Sequence, residues 1–325
     1  MTYNALIDHS IDSIGTKIES YNGDNNTNHK KCDYIEILAL LNNDELYNDD
    51  LLSRFFSEYS DRDNSPEEEQ SEISDKHERE LIDLFEILKY RQELYGEDYP
   101  FEIIDNMIKL KENLSHKQKL YIIFLCCANL TTFEKNLQFQ LTDEFEHITY
   151  CAISQHLPNT FTVKKLGSNS DYTGNTRKKL KDLGRDINLN INNEQIDNIP
   201  LSANKEKGVD LIAWYNFTDH IPNTLIFLIQ CACGQDTYHK IYEPKRYSTY
   251  FNFNKMNPII ALATPKSIVI KPNKIENESE VFMGDTLYFD RLRLMELIVD
   301  LECLNNINAF SLADRLISET TSVLD

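Results

Sequence analysis

The stretch Gly208-Val-Asp-Leu-Ile-Ala-Trp214 decides the fold, together with Leu225-Ile-Phe-Leu-Ile-Gln-Cys-Ala-Cys-Gly234, which follows it after a short connection. Both segments are apolar and rich in β-branched residues, and their polar residues stand only near their ends. Such a pattern is typical of strands that are buried on both faces. The connection, Asp219-His-Ile-Pro-Asn-Thr224, carries Pro and Asn where the chain has to reverse. We therefore predict two neighbouring strands joined by a turn.

Three polar residues at the ends of these segments are candidate site residues. Asp210 lies near the start of the first strand, Gln230 ends the second, and Lys240 follows on a segment that is predicted to be helical. Polar groups at the ends of buried strands are costly unless they are used. A carboxylate, an amide oxygen and an ammonium group that meet at a sheet edge suit the binding of a hard cation and the polarisation of a phosphate.

This arrangement resembles the core of the PD-(D/E)xK, or restriction-endonuclease-like, nuclease superfamily. In that superfamily an Asp on one strand is followed by Glu or Gln-x-Lys on the next. Asp210 matches the Asp, Gln230 matches the Glu or Gln, and Ala232 stands where the motif has Lys. Some members carry the lysine on the following helix, where Lys240 is the corresponding residue. The resemblance covers residues 141–263.

The resemblance implies a metal-dependent endonuclease that hydrolyses DNA phosphodiester bonds with Mg²⁺ or Mn²⁺, as an effector or subunit of bacterial restriction or anti-phage defence. It also implies a glutamate from the helix before the first core strand. On the helix predicted at 141–157 this residue is Glu146, with Glu144 as the alternative, although an ordinary surface glutamate would fit the same pattern. Asp210, Gln230 and Glu146 are then the expected metal ligands, and Lys240 assists the attacking water.

The net charge of the whole chain argues against a nucleic-acid partner, whereas the local charge of one segment favours such a partner. The formal net charge is −20, whereas proteins that bind DNA normally present a basic surface. Residues 164–185 are nevertheless predominantly basic and lie close to the predicted core. The expected contacts to DNA phosphates are Lys164, Lys165, Arg177, Lys178 and Lys179. A solvated helix face is the alternative interpretation of the same residues.

The 325 residues are enough for two domains. Residues 1–135 carry helical apolar spacing, and we predict an all-helical N-terminal module there, with helices at 33–41, 49–56, 76–95, 101–114 and 117–130 and an acidic solvated run at 60–72. Residues 136–325 are predicted to form an α/β domain with C-terminal helices. The expected fold class is α/β, with a mixed central sheet flanked by helices, a restriction-endonuclease-like core, and the helical module before it.

Other site chemistry is less favoured by the sequence. Seven cysteines, mostly within apolar runs, indicate reduced thiols in the cytoplasm, and no segment approaches the length of a membrane span. Cys231 and Cys233 could bind zinc with His220 or His239, or Cys231 could act as a nucleophile with His239, but two packed thiols are the simpler interpretation. No Gly-rich phosphate-binding loop is present. Trp214 is expected in the core.

Two further functional hypotheses stay open. In the first, the nuclease fold persists without catalysis, and the chain is an interaction scaffold for a protein partner or for further copies of itself. The missing lysine at position 232 and the acidic charge favour it. In the second, the chain is a helical interaction protein without a central sheet that carries Asp210 and Gln230 on adjacent strands.

Overall fold

The structure is a computed structural model that describes residues 2–8, 10, 27–42, 45–55, 67–167, 169–203, 208–219, 221–222, 224–234, 238–253, 256–275 and 285–318. The chain divides into two compact units. The first unit comprises Met1–Phe139, Lys266–Glu276 and Asn308–Asp325, and the second comprises Gln140–Pro265 and Asn277–Ile307. The first unit therefore takes in a hairpin and a C-terminal helix that the sequence analysis assigned to residues 136–325.

The first part of the chain is mainly helical. Its elements are α1 (Asn28–Leu41), β1 (Leu46–Tyr47), α2 (Asn48–Phe55), α3 (Glu67–Tyr95), β2 (Phe101–Ile104), β3 (Met107–Leu110) and α4 (His116–Ala128). Helix α4 begins with a capping box, which Ser115 followed three residues later by Gln118 predicts: the Ser115 side chain accepts from the backbone N–H of Gln118, and the Gln118 side chain accepts from the backbone N–H of Ser115. Helix α3 begins within the acidic run, most of which lies outside the described residues.

The N-terminal module is not all-helical, so that expectation is corrected. Strands β1, β3 and β2 form an antiparallel sheet in that order. The segment predicted as a helix at 101–114 is instead a hairpin, in which Ile104 pairs with Met107 across a two-residue turn. Asp105 in this turn has a φ of 50°, which a short polar side chain tolerates. The turn decides the structure here, because the apolar residues on either side fit a helical period as well as a strand.

The second unit is built around a five-stranded sheet. The elements from residue 135 onward are α5 (Lys135–His156), β4 (Phe161–Lys165), α6 (Thr176–Asp186), β5 (Asn190–Ile191), α7 (Asn193–Asp197), β6 (Leu211–Tyr215), β7 (Ile226–Cys231), α8 (Tyr247–Tyr250), β8 (Phe251–Asn252), β9 (Ile259–Ala263), β10 (Val269–Lys271), β11 (Lys274–Ile275), β12 (Thr286–Phe289), α9 (Arg291–Leu297) and α10 (Ala309–Ser318). Of these, the β10–β11 hairpin and α10 belong to the first unit. Two short 3₁₀ helices, Tyr238–Tyr242 and Pro244–Arg246, follow β7.

The strand order of the large sheet is β12-β9-β7-β6-β4. Strands β4, β6 and β7 form an antiparallel meander, and β9 and β12 then add in parallel. The predicted mixed α/β fold with flanking helices is thus confirmed at this level. Asp210 directly precedes β6 and Gln230 lies in the adjacent β7. The hypothesis of a helical protein without such a sheet is therefore wrong.

One face of this sheet carries an apolar cluster that includes α6. Leu180 and Leu183 of α6 are buried in a cluster with Ile212, Trp214 and Leu228 of the central strands. Burial of apolar side chains of this size stabilises a fold by about 1.5–3 kcal/mol each. Trp214 is therefore a core residue, as predicted. No helix within the described residues is both long and apolar enough to cross a bilayer.

Candidate functional site

The backbone of Asp210 is fixed between two strands. Its N–H donates to the carbonyl of Ile229 at 2.9 Å, and its own carbonyl accepts from the backbone N–H groups of Leu166 and Gly167 at 2.7 and 3.1 Å. The residue is 3% exposed. The end of β4, the start of β6 and the end of β7 therefore meet at Asp210, and its position follows from the sheet register.

The carboxylate of Asp210 is turned toward β7. Its Oδ2 accepts from Gln230 Nε2 at 2.7 Å and from the backbone N–H of Cys231 at 2.6 Å. Gln230 is 5% exposed, and its Oε1 is a buried acceptor without a hydrogen-bond partner. A buried polar atom left unsatisfied costs about 1–3 kcal/mol. This oxygen is the kind of group that a bound cation would satisfy.

Glu146 on α5 reaches the same place. It is half-buried, and its carboxylate lies so close to Gly167 that a Cβ on that glycine would be 2.3 Å from Glu146 Oε2. Glycine is the residue at position 167 that does not displace the Glu146 carboxylate. Glu144, two residues earlier, projects about 200° away around the helix axis, so Glu146 is the one that faces the strands.

The charges of both acids act on the pKa of the Cys231 thiol. Burial raises its pKa well above the usual value, and the negative charges of Asp210 and Glu146 raise it further, against a hydrogen bond with Thr149 that lowers it. Both carboxylates therefore lie near one buried thiol. A raised pKa disfavours the thiolate, which argues against Cys231 as a nucleophile.

The geometry does not support a zinc site. His239 is exposed on the 3₁₀ helix after β7, and His220 lies outside the described residues. Within the part of the chain that the structure describes, no three His, Cys, Asp or Glu side chains are arranged to hold a metal. The cluster at Asp210 has only two acids, and its third donor is the amide oxygen of Gln230. Its donors are all oxygens, which suits a hard cation such as Mg²⁺ or Mn²⁺ and not a thiolate-bound zinc.

Lys240 is not bonded to Asp210, Gln230 or Glu146 in the structure. It lies in the 3₁₀ helix Tyr238–Tyr242 and is partly exposed, and its side chain makes no hydrogen bond or ion pair with any described residue. Position 232, where the motif would have lysine, is occupied by a fully buried alanine. Asp210 and Gln230 are therefore in contact and Glu146 lies nearby, whereas Lys240 makes no hydrogen bond or ion pair with them.

Most of the basic residues expected to contact DNA have partners inside the protein. Lys164 pairs with Asp186 at 2.7 Å, Lys178 pairs with Asp182 at 2.7 Å, and Arg177 Nε donates to the carbonyl of Ile199. The two remaining residues are Lys165, whose Nζ lies 5.1 Å from the ring centroid of Tyr150, and Lys179, which is half-buried. The positive charge of helix α6 is thus largely balanced by its own acidic neighbours.

Sequence reasoning missed two residues that shape the site. Gly167 gives room to Glu146, and Thr149 hydrogen-bonds to the thiol of Cys231. The available signal for Gly167 was its place directly after residues 160–166, which fit a first core strand, because an isolated glycine at a strand end marks a close approach. Thr149 lies on the buried side of α5, one turn after Phe145, and its role follows only from the packing of that helix.

No family model, no curated protein and no solved structure matches this chain. The chemistry of the cluster therefore has to be argued from its own geometry.

Proposed function

We propose that this protein is a metal-dependent nuclease that hydrolyses the phosphodiester bonds of DNA. The observation that carries the proposal is the convergence of Asp210, Gln230 and Glu146, with an unpartnered amide oxygen, at the joint ends of three strands. The order of elements supports it too, since a helix with Glu146 precedes the first strand of the sheet, and Asp210 and Gln230 belong to the two strand segments that follow. The nuclease resemblance implies such a helix and two such strands. Restriction or anti-phage defence would be the corresponding role.

The residues present fit Mg²⁺ or Mn²⁺. Asp210, Gln230 and Glu146 would hold the cation, which when bound supplies Lewis-acid polarisation of the phosphate and an activated water. The two N–H groups that donate to Asp210 Oδ2 fix the orientation of that carboxylate. Gln230 Nε2 donates to Asp210, which orients Gln230 Oε1. With Ala232 in place of lysine, this chain has no ammonium group at the motif position to help orient the water.

The direct test is cleavage of labelled DNA by the purified full chain with Mg²⁺, with Mn²⁺ or with EDTA. Cleavage is expected with either cation and is expected to cease in EDTA, because no other group in the cluster can activate a water. RNA of the same sequence is a parallel substrate. Undiminished cleavage in EDTA, or none with any cation, would contradict the proposal.

Substituting Gly167 with alanine tests the geometry of the cluster. The new Cβ would meet Glu146 Oε2 at 2.3 Å, and since that atom ends a flexible side chain, we expect the carboxylate to move and the fold to persist. Affinity for Mn²⁺ should fall about 10- to 100-fold, as for a disturbed ligand shell. Calorimetric titration of Mn²⁺, with thermal unfolding measured in parallel, checks this prediction.

The matched control for this prediction is Gly234→Ala. A Cβ at Gly234 would have no atom of the described residues within 4 Å, so Mn²⁺ affinity should stay at the wild-type value. Equal affinities in Gly167→Ala and in wild type would show that Glu146 is not a ligand.

A second candidate function is an interaction scaffold that keeps the nuclease fold without catalysis. It is favoured by the Asp210 carboxylate, which already accepts two internal hydrogen bonds, and by the alanine at position 232. The same cleavage assay separates the two proposals, because the scaffold should neither bind Mn²⁺ at this cluster nor cut. It should instead co-purify in a fixed ratio with a basic protein or as a homo-oligomer.

A further inference from the structure

The segment between β7 and β9 forms a small basic surface in the second unit. We define the 239–246 surface by His239, Lys240, Tyr242, Lys245 and Arg246, which lie on the two 3₁₀ helices after β7 and are all partly or fully exposed.

The 239–246 surface begins beside the candidate metal cluster. Glu243, between the two 3₁₀ helices, packs against Gly208, where an added Cβ would lie 2.4 Å from the Cβ of Glu243. Gly208 has a φ of +93° and stands two residues before Asp210. A side chain at position 208 would push the two segments apart. The close approach therefore puts the surface next to the segment that leads into Asp210.

The cations of this surface differ from those of helix α6. Lys240, Lys245 and Arg246 have no carboxylate partner among the described residues, whereas α6 carries three internal ion pairs: Lys178 and Arg185 with Asp182, and Lys181 with Asp197. The one acid of the surface segment, Glu243, has its side chain against Gly208. In a chain with a net charge of −20, three neighbouring cations without partners form a local site for an anion.

An exposed aromatic ring lies among these cations. Tyr242 is 52% exposed, and Lys245 Nζ lies 5.3 Å from its ring centroid. Cations that follow a nucleic-acid backbone, together with aromatic rings that stack on bases, are the usual combination in proteins that bind single strands. A base in a duplex is already stacked on both faces, so an exposed tyrosine ring favours an unpaired strand.

We propose that the 239–246 surface binds single-stranded nucleic acid, with Lys240, Lys245 and Arg246 at the phosphates and Tyr242 stacked on a base. The proposal rests on the nuclease function proposed above, for which it provides the substrate contact. It also moves the expected nucleic-acid contact from helix α6 to the segment that follows β7.

The test is fluorescence anisotropy with a labelled 20-nucleotide single strand, as DNA and as RNA, and with the DNA duplex, all in EDTA so that nothing is cut. Lys245→Glu with Arg246→Glu should weaken single-strand binding by about tenfold or more and should lower the slope of log affinity against log salt by about 1.4, at about 0.7 for each phosphate contact. Tyr242→Ala should weaken binding by about tenfold without changing this slope, since stacking carries no charge. The strand that binds more tightly identifies the substrate as DNA or RNA.

The matched control is Lys181→Glu with Arg185→Glu on α6, which changes the net charge by the same amount. Because both cations already have acidic partners, binding should change by less than about twofold. Equal losses in the two double variants, or a duplex that binds more tightly than either single strand, would overturn the proposal. A wild type that binds single strands through this surface but never cuts would contradict only the nuclease function. A wild type that cuts while the Lys245→Glu, Arg246→Glu variant binds normally would contradict only this inference.

Discussion

Replacing Arg91 with alanine is expected to lower the free energy of unfolding of the first unit by about 3–5 kcal/mol. Arg91 is completely buried, and its NH1 lies 2.8 Å from both Asp33 Oδ1 and Glu36 Oε1, on side chains that are themselves buried. Removing the guanidinium leaves two acidic groups in the core without the cation between them. Breaking a buried pair from one side is costly for this reason, even where the intact pair contributes little.

Two neighbouring hydroxyl groups help to satisfy the buried carboxylate of Glu36 in this network. Tyr99 and Tyr121 both donate to Glu36 Oε1, at 2.8 and 2.9 Å. Burial alone would lower the pKa of Arg91, but Glu36 and Asp33 outweigh it and raise that pKa well above its usual value. Burial, followed by the charge of Glu36, likewise raises the pKa of Tyr99 well above its usual value. Tyr99 therefore remains a hydrogen-bond donor over the whole physiological pH range.

Urea unfolding of the full chain, followed by circular dichroism, measures the Arg91 effect. Lys89→Ala is the control on the same helix, because its ion pair with Glu86 is exposed and is worth about 0–1 kcal/mol. Arg91→Lys keeps the charge but not the forked geometry, so its free energy of unfolding should lie between those of Arg91→Ala and Lys89→Ala. A loss below about 1 kcal/mol in Arg91→Ala would mean that the buried acids are compensated in another way.

Arg91 also shows where sequence reasoning stops. It stands between Leu88 and Tyr95 on the apolar side of a helix that was predicted from its period, yet periodicity treats a lone arginine there as an irregularity. Its partners Asp33 and Glu36 are more than fifty residues away. Nothing local marks such a pairing, because it depends on how two helices meet. Helix existence was thus predictable, whereas the polar core between the helices was not.

The centre of the second unit was more predictable, since β6 and β7 are short and almost wholly apolar. The apolar runs within 208–214 and 225–234 predicted buried strands, and the register of β6 and β7 brings Asp210 and Gln230 together. The hairpin at 101–110 was not predicted, because its apolar residues fit both the helical and the strand period. The direction of the Lys240 side chain could not be predicted for a related reason, because the 3₁₀ segment after β7 carries no periodic pattern from which it could be inferred.

Asp210→Asn is expected to reduce cation-dependent cleavage by about three orders of magnitude. Loss of one charged ligand removes several kcal/mol of stabilisation from the transition state, and each 1.36 kcal/mol is a tenfold change in rate. Asparagine is the informative substitution because its side-chain oxygen can still accept from Cys231 N and Gln230 Nε2, which donate to Asp210 now. Alanine would remove the acceptor of the Cys231 N–H in the core and would leave Gln230 Nε2 only the carbonyl of Cys231, so lost activity could reflect lost folding.

Three measurements on Asp210→Asn separate chemistry from structure. The midpoint of thermal unfolding should stay close to that of wild type, since the hydrogen bonds persist, while Mn²⁺ affinity and cleavage fall together. Asp219→Asn is the control, because Asp219 is exposed in the turn and, among the described residues, accepts only from Ile221 N at 3.0 Å, so cleavage should be unchanged there. Wild-type cleavage by Asp210→Asn would remove the acid from the reaction, and the buried carboxylate would then be a strand-end hydrogen-bond acceptor of the scaffold alone.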